Sequence, residues 1–289
     1  MIPVKNQWAI HLDVTNKCKF QCSNCTRMTA HAREPFFMDL ETVEKALLSI
    51  ADFATDSPPD PRNHSNKVIG LIGGEPTLHP DFLAIIKLYE RIIPNPASRG
   101  LWSCGGKIYD THRDLIKLIF GYENYNSHVE ECIHQPMLIA IDDAIDDEVI
   151  KKQLIEKCWV QEQWASTITP KGCFFCEVAG AFDMIFNGPG GLPIEPGWWR
   201  RPLSDFQEQI DMWCGRCGAA LPLDRRHDHE RRDDISESNL CTLKDLGSPR
   251  ILKGNYCLFN KDNYDQEEAV KNWQPNRYLI GRYENKGKK

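Results

Sequence analysis

Three cysteines fall within one short segment, Cys18-Lys-Phe-Gln-Cys22-Ser-Asn-Cys25, directly after the strand-like run WAIHLDV at residues 8–14, and no other feature constrains the chain so tightly. A strand that empties into such a loop delivers a knot of thiols to one end of a sheet, where a metal centre can be held. Twelve cysteines in 289 residues would be hazardous as free thiols. The start of the chain lacks a basic region followed by a long apolar stretch, so the expected setting is cytoplasmic and reducing, and metal ligation is the leading account of the cysteines.

The first half alternates β-like and helical runs, the pattern of parallel strands joined by crossover helices. Strands are expected at 8–14, at VIGLI (68–72), at GLWS (100–103), at MLIAID (137–142) and within 160–169. Asp39 is placed to cap a helix carrying Leu40, Val43, Leu47 and Ile50 on one face. A second helix is expected over 80–93, stopped by Pro94, and others near 115–120 and 148–156. The stretch 54–66 reads as a surface connection, and the mixed-sign run DRRHDHERRDD (224–234) as a solvated face. After about residue 185 the chain turns to Gly, Pro and Trp with little periodicity, which suggests a small module organised by ligands.

Net charge is -6 and pI about 5.9, which weighs against a broad phosphate-gripping surface and duplex nucleic acid as a partner. No apolar run approaches the roughly 20 residues that span a bilayer.

A second motif, Gly70-Leu-Ile-Gly73-Gly74-Glu75-Pro76, ends the second expected strand. With CxxxCxxC after the first strand and GGEP after the second, the chain resembles the radical S-adenosylmethionine (radical SAM) superfamily. The resemblance implies a partial (β/α)6 TIM-like barrel, α/β in class, over residues 1–190, with a small irregular Cys-rich module over 191–289. It implies that Cys18, Cys22 and Cys25 hold a 4Fe-4S cluster whose fourth iron is left for the amine and carboxylate of SAM. Gly73, Gly74 and Glu75 would then receive the methionine amino group, and Pro76 would fix the turn. Asn24 stands where the family usually has an aromatic residue, and Phe20 would supply apolar cover. Ser103 and Asp142, at the ends of expected strands, are candidates for the ribose hydroxyls; each could equally cap a turn or helix.

Cys173-Phe-Phe-Cys176 and Cys214-Gly-Arg-Cys217 form two CxxC pairs suited to one four-thiolate site. The position after the barrel resembles the auxiliary 4Fe-4S modules of the SPASM or twitch type. Zinc is the alternative, and Cys241 and Cys257 are alternative ligands. Cys104, Cys132 and Cys158 have no partner spacing and are expected in small apolar sites. Glu177, beside the second pair, is the candidate to contact substrate or move a proton. His79 reads as a turn or capping residue, and Trp198, Trp199 and Trp213 as cover for the second module. The substrate class stays open among a small polyol or aminosugar, a peptide side chain and a nucleoside. A one-electron reductase such as flavodoxin or ferredoxin is the implied partner. The reading from another class is a noncatalytic binding or electron-transfer protein with structural metal.

Overall fold

The computed structural model describes residues 1–56, 66–126, 128 and 132–271, so part of the expected 54–66 connection lies outside the described residues. Its centre is a six-stranded sheet of β1 (Ala9–Asp13), β2 (Val68–Ile72), β3 (Arg99–Ser103), β4 (Tyr122–Tyr125), β5 (Ala165–Thr169) and β6 (Gly172–Phe174). The spatial order is β4-β3-β2-β1-β5-β6. The first five are parallel, with His11 beside Gly70 on one side and Thr167 on the other, and β6 turns back antiparallel on β5. The fold is thus mixed α/β with a mainly parallel sheet, and among the described residues that sheet does not close.

The longer helices are α1 (Leu40–Ile50), α2 (Phe82–Ile92), α3 (Arg113–Ile119), α4 (Glu148–Glu156), α5 (Glu177–Ile185), α6 (Gln207–Trp213) and α7 (Glu237–Asp245). Asp39 caps α1 as expected, its carboxylate accepting from the Thr42 amide at 2.8 Å and the Thr42 hydroxyl at 2.9 Å. The sheet uses its pleat to face two ways. Ile10, Leu12, Ile69, Leu71 and Leu101 join the main apolar core with Val43 and Leu47 of α1 and Ile85 and Ile86 of α2. On the other face Ala9, Val68 and Ala165 meet Trp8, Trp102 and Tyr122, and α5 lies across Thr167 and Thr169.

One expected strand fails. MLIAID forms none: Leu138 makes an isolated bridge to Ile235, and Ile141–Ala144 is one helical turn with Asp142 and Asp143 near its positive end. The run is apolar because later segments of the chain bury it, which periodicity cannot tell from strand burial. The fourth parallel strand is instead the largely exposed Tyr-Glu-Asn-Tyr of β4. Residues 160–169 divide into a short helix, Trp159–Gln163, and β5.

The C-terminal third contributes a parallel pair, β7 (Asp233–Ile235) with β8 (Tyr256–Leu258). Its Trp198, Trp199, Phe206, Ile235, Leu243 and Ile251 belong to the same core as β1 and α1. Among the described residues no helix is long and apolar enough to cross a membrane.

The seat of α5 depends on a missing side chain. A Cβ on Gly180 would lie 2.5 Å from the Thr167 Cγ2 methyl. Gly to Ala in an open helix interior stabilises by up to about 1 kcal/mol. At Gly180 the clash reverses the sign: Gly180→Ala is expected to cost about 1–3 kcal/mol and to lower Tm by several degrees in a thermal melt. A raised Tm contradicts this packing.

Candidate metal centres

The cysteine loop is held from two sides. On the first, its entry continues the β1–β2 ladder: the Val14 amide donates to Ile72 O at 3.0 Å, the Gly74 amide to Thr15 O at 2.6 Å and the Glu75 amide to Lys17 O at 2.7 Å. A Cβ on Gly73 would stand 2.4 Å from Thr15 O and one on Gly74 2.5 Å from Lys17 O, so this approach requires both glycines. Glu75, fully buried, accepts from the Thr77 amide (3.0 Å), Thr77 Oγ1 (2.6 Å) and Ser103 Oγ (2.9 Å) through Oε1. Its Oε2 accepts from the amide (2.6 Å) and thiol (2.8 Å) of Cys104. The carboxylate therefore fastens the end of β2 to the end of β3. Ser103 Oγ, donating to Glu75, also accepts from the Gly105 amide at 3.0 Å. Pro76 opens a single 3-10 turn, Pro76–Leu78, and His79 is the turn residue expected, bonded to Met38 O at 2.9 Å.

On the second side stands the segment read from sequence as a solvated face, and that reading is corrected. Asp228 and Asp233 are buried. The Ser23 amide donates to Asp228 O at 2.9 Å. Asp233 Oδ2 meets His31 Nε2 at 2.9 Å and accepts from Arg250 Nε at 2.7 Å, while Oδ1 accepts from the Asn24 amide. Burial would push the Asp233 carboxyl up; hydrogen bonding from His31 and the charge of Arg250 hold it below its ordinary value. Arg250 Nη2 also donates to Cys22 O at 2.7 Å. Asn24, in the left-handed region at φ 49, is committed to β7: its Nδ2 donates to Asp234 Oδ2 at 2.8 Å and its Oδ1 accepts from the Asp234 amide at 2.9 Å. Asn24 thus stitches the loop to the C-terminal third and is not free to face a ligand ring.

The three thiols of the loop converge. Burial, then Cys25, Asp228 and Cys18, push the Cys22 thiol up; burial and then Cys18 do the same for Cys25. A hydrogen bond from Cys104 is the main cause lowering Cys18, so Cys104 stands in a polar contact and not the apolar niche expected. Among the described residues the only His, Cys, Asp or Glu triplet with donor atoms all within 4.8 Å of one another is Cys22, His128 and Asp228. Cys18, Cys22 and Cys25 do not all lie within that distance of one another. Three soft thiol donors on one loop fit an iron-sulfur cubane with three protein ligands. The compact triplet went unread in the sequence: His128 Nδ1 lies 2.5 Å from Asp228 Oδ2 and 3.8 Å from Cys22 Sγ, and Phe20 packs on the His128 ring at 4.2 Å.

The second group is not the two CxxC pairs. Cys158, Cys176, Cys214 and Cys217 line one small apolar hollow with Phe175 and Trp213. Burial first, then Cys158, Cys217 and Cys176, raise the Cys214 thiol. Cys173 is drawn away because β6 points it elsewhere: its amide pairs with Leu192 O, its thiol donates to Pro193 O at 3.7 Å, and the charges that act on it are Lys45, Arg201 and Glu195. Cys158, which has no local motif, takes its place. Trp213 lines this hollow, whereas Trp199 packs on Phe53 and Trp198 on Phe206. Asp142 is also corrected: it sits on the short Ile141–Ala144 helix, half-exposed at 54% and paired with Lys151 at 3.0 Å. Cys241 is exposed.

Between the two thiol groups lies a buried charge cluster. Glu177 Oε2 meets His11 Nδ1 at 2.7 Å, and Arg27 Nη2 donates to Glu177 O at 2.7 Å and stands 3.8 Å from Oε1. Arg27 Nη1 is 3.7 Å from Asp13 Oδ2. Arg27 follows Cys25 by two residues and Glu177 follows Cys176 directly, so the cluster ties the chain beside one thiol group to the chain beside the other. Burial pushes the Asp13 carboxyl up to about 6 against the pull of Arg27. Burial opposes ionisation of Glu177 too, but Arg27 and His11 hold it below its ordinary value.

No family model and no curated protein matches the chain. A solved structure described as BtrN in complex with AdoMet and 2-DOIA is similar to it at 16% identity and a TM-score of 0.40, over 72% of this chain and 87% of that one.

Two outcomes check this arrangement. After anaerobic reconstitution, Cys158→Ala is expected to lose the second centre's share of bound metal while Cys173→Ala keeps it, read by metal and sulfide analysis; the reverse order restores the CxxC pairing. Asp13 holds its proton more tightly folded than unfolded, so its ionisation penalty is full above about pH 6 and gone below about pH 4. The wild type is expected to gain about 3 kcal/mol relative to Asp13→Asn as pH falls across that window, measured by denaturant unfolding. A constant difference between the two proteins contradicts the shift.

Proposed function

We propose that the chain is a radical SAM enzyme. The observation that carries the reading is the loop of Cys18, Cys22 and Cys25 at the C-terminal end of a parallel strand, three thiols that act on one another's ionisation, with the glycine turn Gly73–Gly74 packed against the loop entry. Three protein thiolates leave one iron of a cubane for an outside ligand. When bound, such a centre with SAM supplies one-electron cleavage of the sulfonium carbon-sulfur bond, releasing methionine and a 5'-deoxyadenosyl radical that takes a hydrogen atom from substrate.

The residues around it have separate tasks. Glu75 and the two glycines before it hold the loop entry, and the Gly73–Gly74 backbone is the acceptor surface we assign to the methionine ammonium. Pro76 sets the turn and Ser103 stiffens Glu75 from β3. Phe20, against His128, is apolar cover beside Cys22. Glu177 is the group we assign to proton handling, because its carboxylate is buried, bonded to His11 at 2.7 Å and 3.8 Å from the Arg27 guanidinium.

For the second centre, the four thiols that line one hollow (Cys158, Cys176, Cys214 and Cys217) would supply a full set of protein ligands. We assign it an auxiliary 4Fe-4S cluster, with zinc the alternative. The open sheet is read as an incomplete (β/α)6 barrel over 1–190, capped by 191–289. A small one-electron carrier, flavodoxin or ferredoxin, is the reductant, and the substrate is a small molecule, nucleoside or peptide.

One observation favours a second reading. Cys22, His128 and Asp228 are close enough for a single ion, as in a noncatalytic binding or electron-transfer protein stabilised by zinc. Iron and sulfide reconstitution under anaerobic conditions, followed by dithionite and SAM, separates the two. The expected result is 5'-deoxyadenosine from the wild type and none from Cys22→Ala; zinc as the only tightly held metal at both centres overturns the proposal.

A further inference from the structure

Asp13 and Arg27 stand at the wall of a cavity of about 230 Å³ that Met28, Phe36, Ala181 and Met184 also line. The two side chains are 8% and 6% exposed. Yet Asp13 Oδ1, Arg27 Nε and Arg27 Nη1 have no hydrogen-bond partner, and neither has His11 Nε2 behind them. The ion pairs are loose, 3.7 Å from Arg27 to Asp13 and 3.8 Å to the Glu177 carboxylate, where charge-assisted bonds normally close to about 2.7–2.9 Å. Buried polar groups are as a rule satisfied. An under-bonded guanidinium and carboxylate at one cavity call for a partner the protein does not supply, an ordered water or a bound ligand.

The free atoms specify that ligand. It must accept from Arg27 and donate to Asp13. A hydroxyl does both. A carboxylate or phosphate satisfies Arg27 but faces two carboxylates, Asp13 and Glu177, across a low-dielectric floor; an ammonium satisfies Asp13 but opposes Arg27. Arg33 and Glu34, both exposed, give the lining one further charge of each sign. His31, also in the lining, is already committed to Asp233 and Ser248. The apolar wall suits the C-H faces of a ring, and the volume lies below the roughly 300–1,000 Å³ of pockets for drug-sized ligands.

We infer that this cavity binds a neutral polyhydroxylated small molecule of one ring, cyclitol-like or sugar-like, through a hydroxyl shared between Arg27 and Asp13. Calling that molecule the substrate rests on the radical SAM reading; the binding site does not. Arg27 is the donor that orients the oxygen, Asp13 accepts the hydroxyl proton, and Glu177 with His11 fixes Arg27 from behind.

Saturation-transfer NMR on the full-length protein tests this with myo-inositol, D-glucose and D-glucuronate as probes. The neutral polyols are expected to bind, and glucuronate at least tenfold more weakly than glucose. Asp13→Leu and Met184→Trp, the second filling the cavity without touching the charges, are each expected to abolish the signal, with melting curves confirming that both fold. Failure of both neutral polyols to bind, glucuronate binding as well as glucose, or a wild-type signal in the folded Met184→Trp protein overturns the assignment. Because the assay needs neither iron nor SAM, polyol binding without 5'-deoxyadenosine formation sinks only the radical reading, and the reverse pattern sinks only this one.

Discussion

The Asp233 carboxylate is the interaction on which the rest of the structure leans. It gathers the Asn24 amide, His31 and Arg250 at one buried point, and Arg250 reaches on to the Cys22 carbonyl. A loop presenting three thiols inward needs its backbone fixed before any metal arrives, and these bonds fix it. Removing one partner of so buried an ion pair leaves a bare charge, at a cost of about 3–5 kcal/mol. The opposite anchor, from Ile72 to Glu75, is purely local sheet pairing carried one step past the strand end.

Because the partners of Asp233 come from residues 24, 31 and 250, this anchor of the cysteine loop exists only when the C-terminal third is docked. The same third supplies Cys214 and Cys217 to the second hollow. Both thiol groups therefore depend on the C-terminal third, and the cluster of Arg27, Glu177, His11 and Asp13 joins the chain beside Cys25 to the chain beside Cys176. That position is the physical reason the cluster is a place for chemistry: it is buried and charged, its polar atoms are incompletely paired, and it borders a cavity.

Much of this was legible in the residues. The strands at VIGLI and GLWS, the Asp39 cap and the cysteine loop announced themselves because their signals are local: apolar runs, a capping side chain, a tight spacing. What was hidden depended on tertiary partners. β4 is polar because it is an exposed edge, so it carries no apolar signature. MLIAID is apolar without being a strand because Gly215–Asn239 covers it, with the Gly218 amide on Met137 O and Asn239 Nδ2 on Leu138 O. Cys158 has no neighbouring cysteine to advertise it, while Cys173 has one and is turned away by β6. The run from 224 to 234 mixes charges as a solvated face would, and only His31, Asn24 and Arg250 reveal that its acids point inward.

The central claim is that the amino-terminal thiol loop leaves one iron open to SAM. Electron paramagnetic resonance of the dithionite-reduced protein, in a Cys158→Ala background that removes the second centre, addresses it directly. The account predicts a reduced 4Fe-4S signal whose g-values move when SAM is added. A signal indifferent to SAM, or a protein that binds zinc there and gives no signal at all, would contradict it.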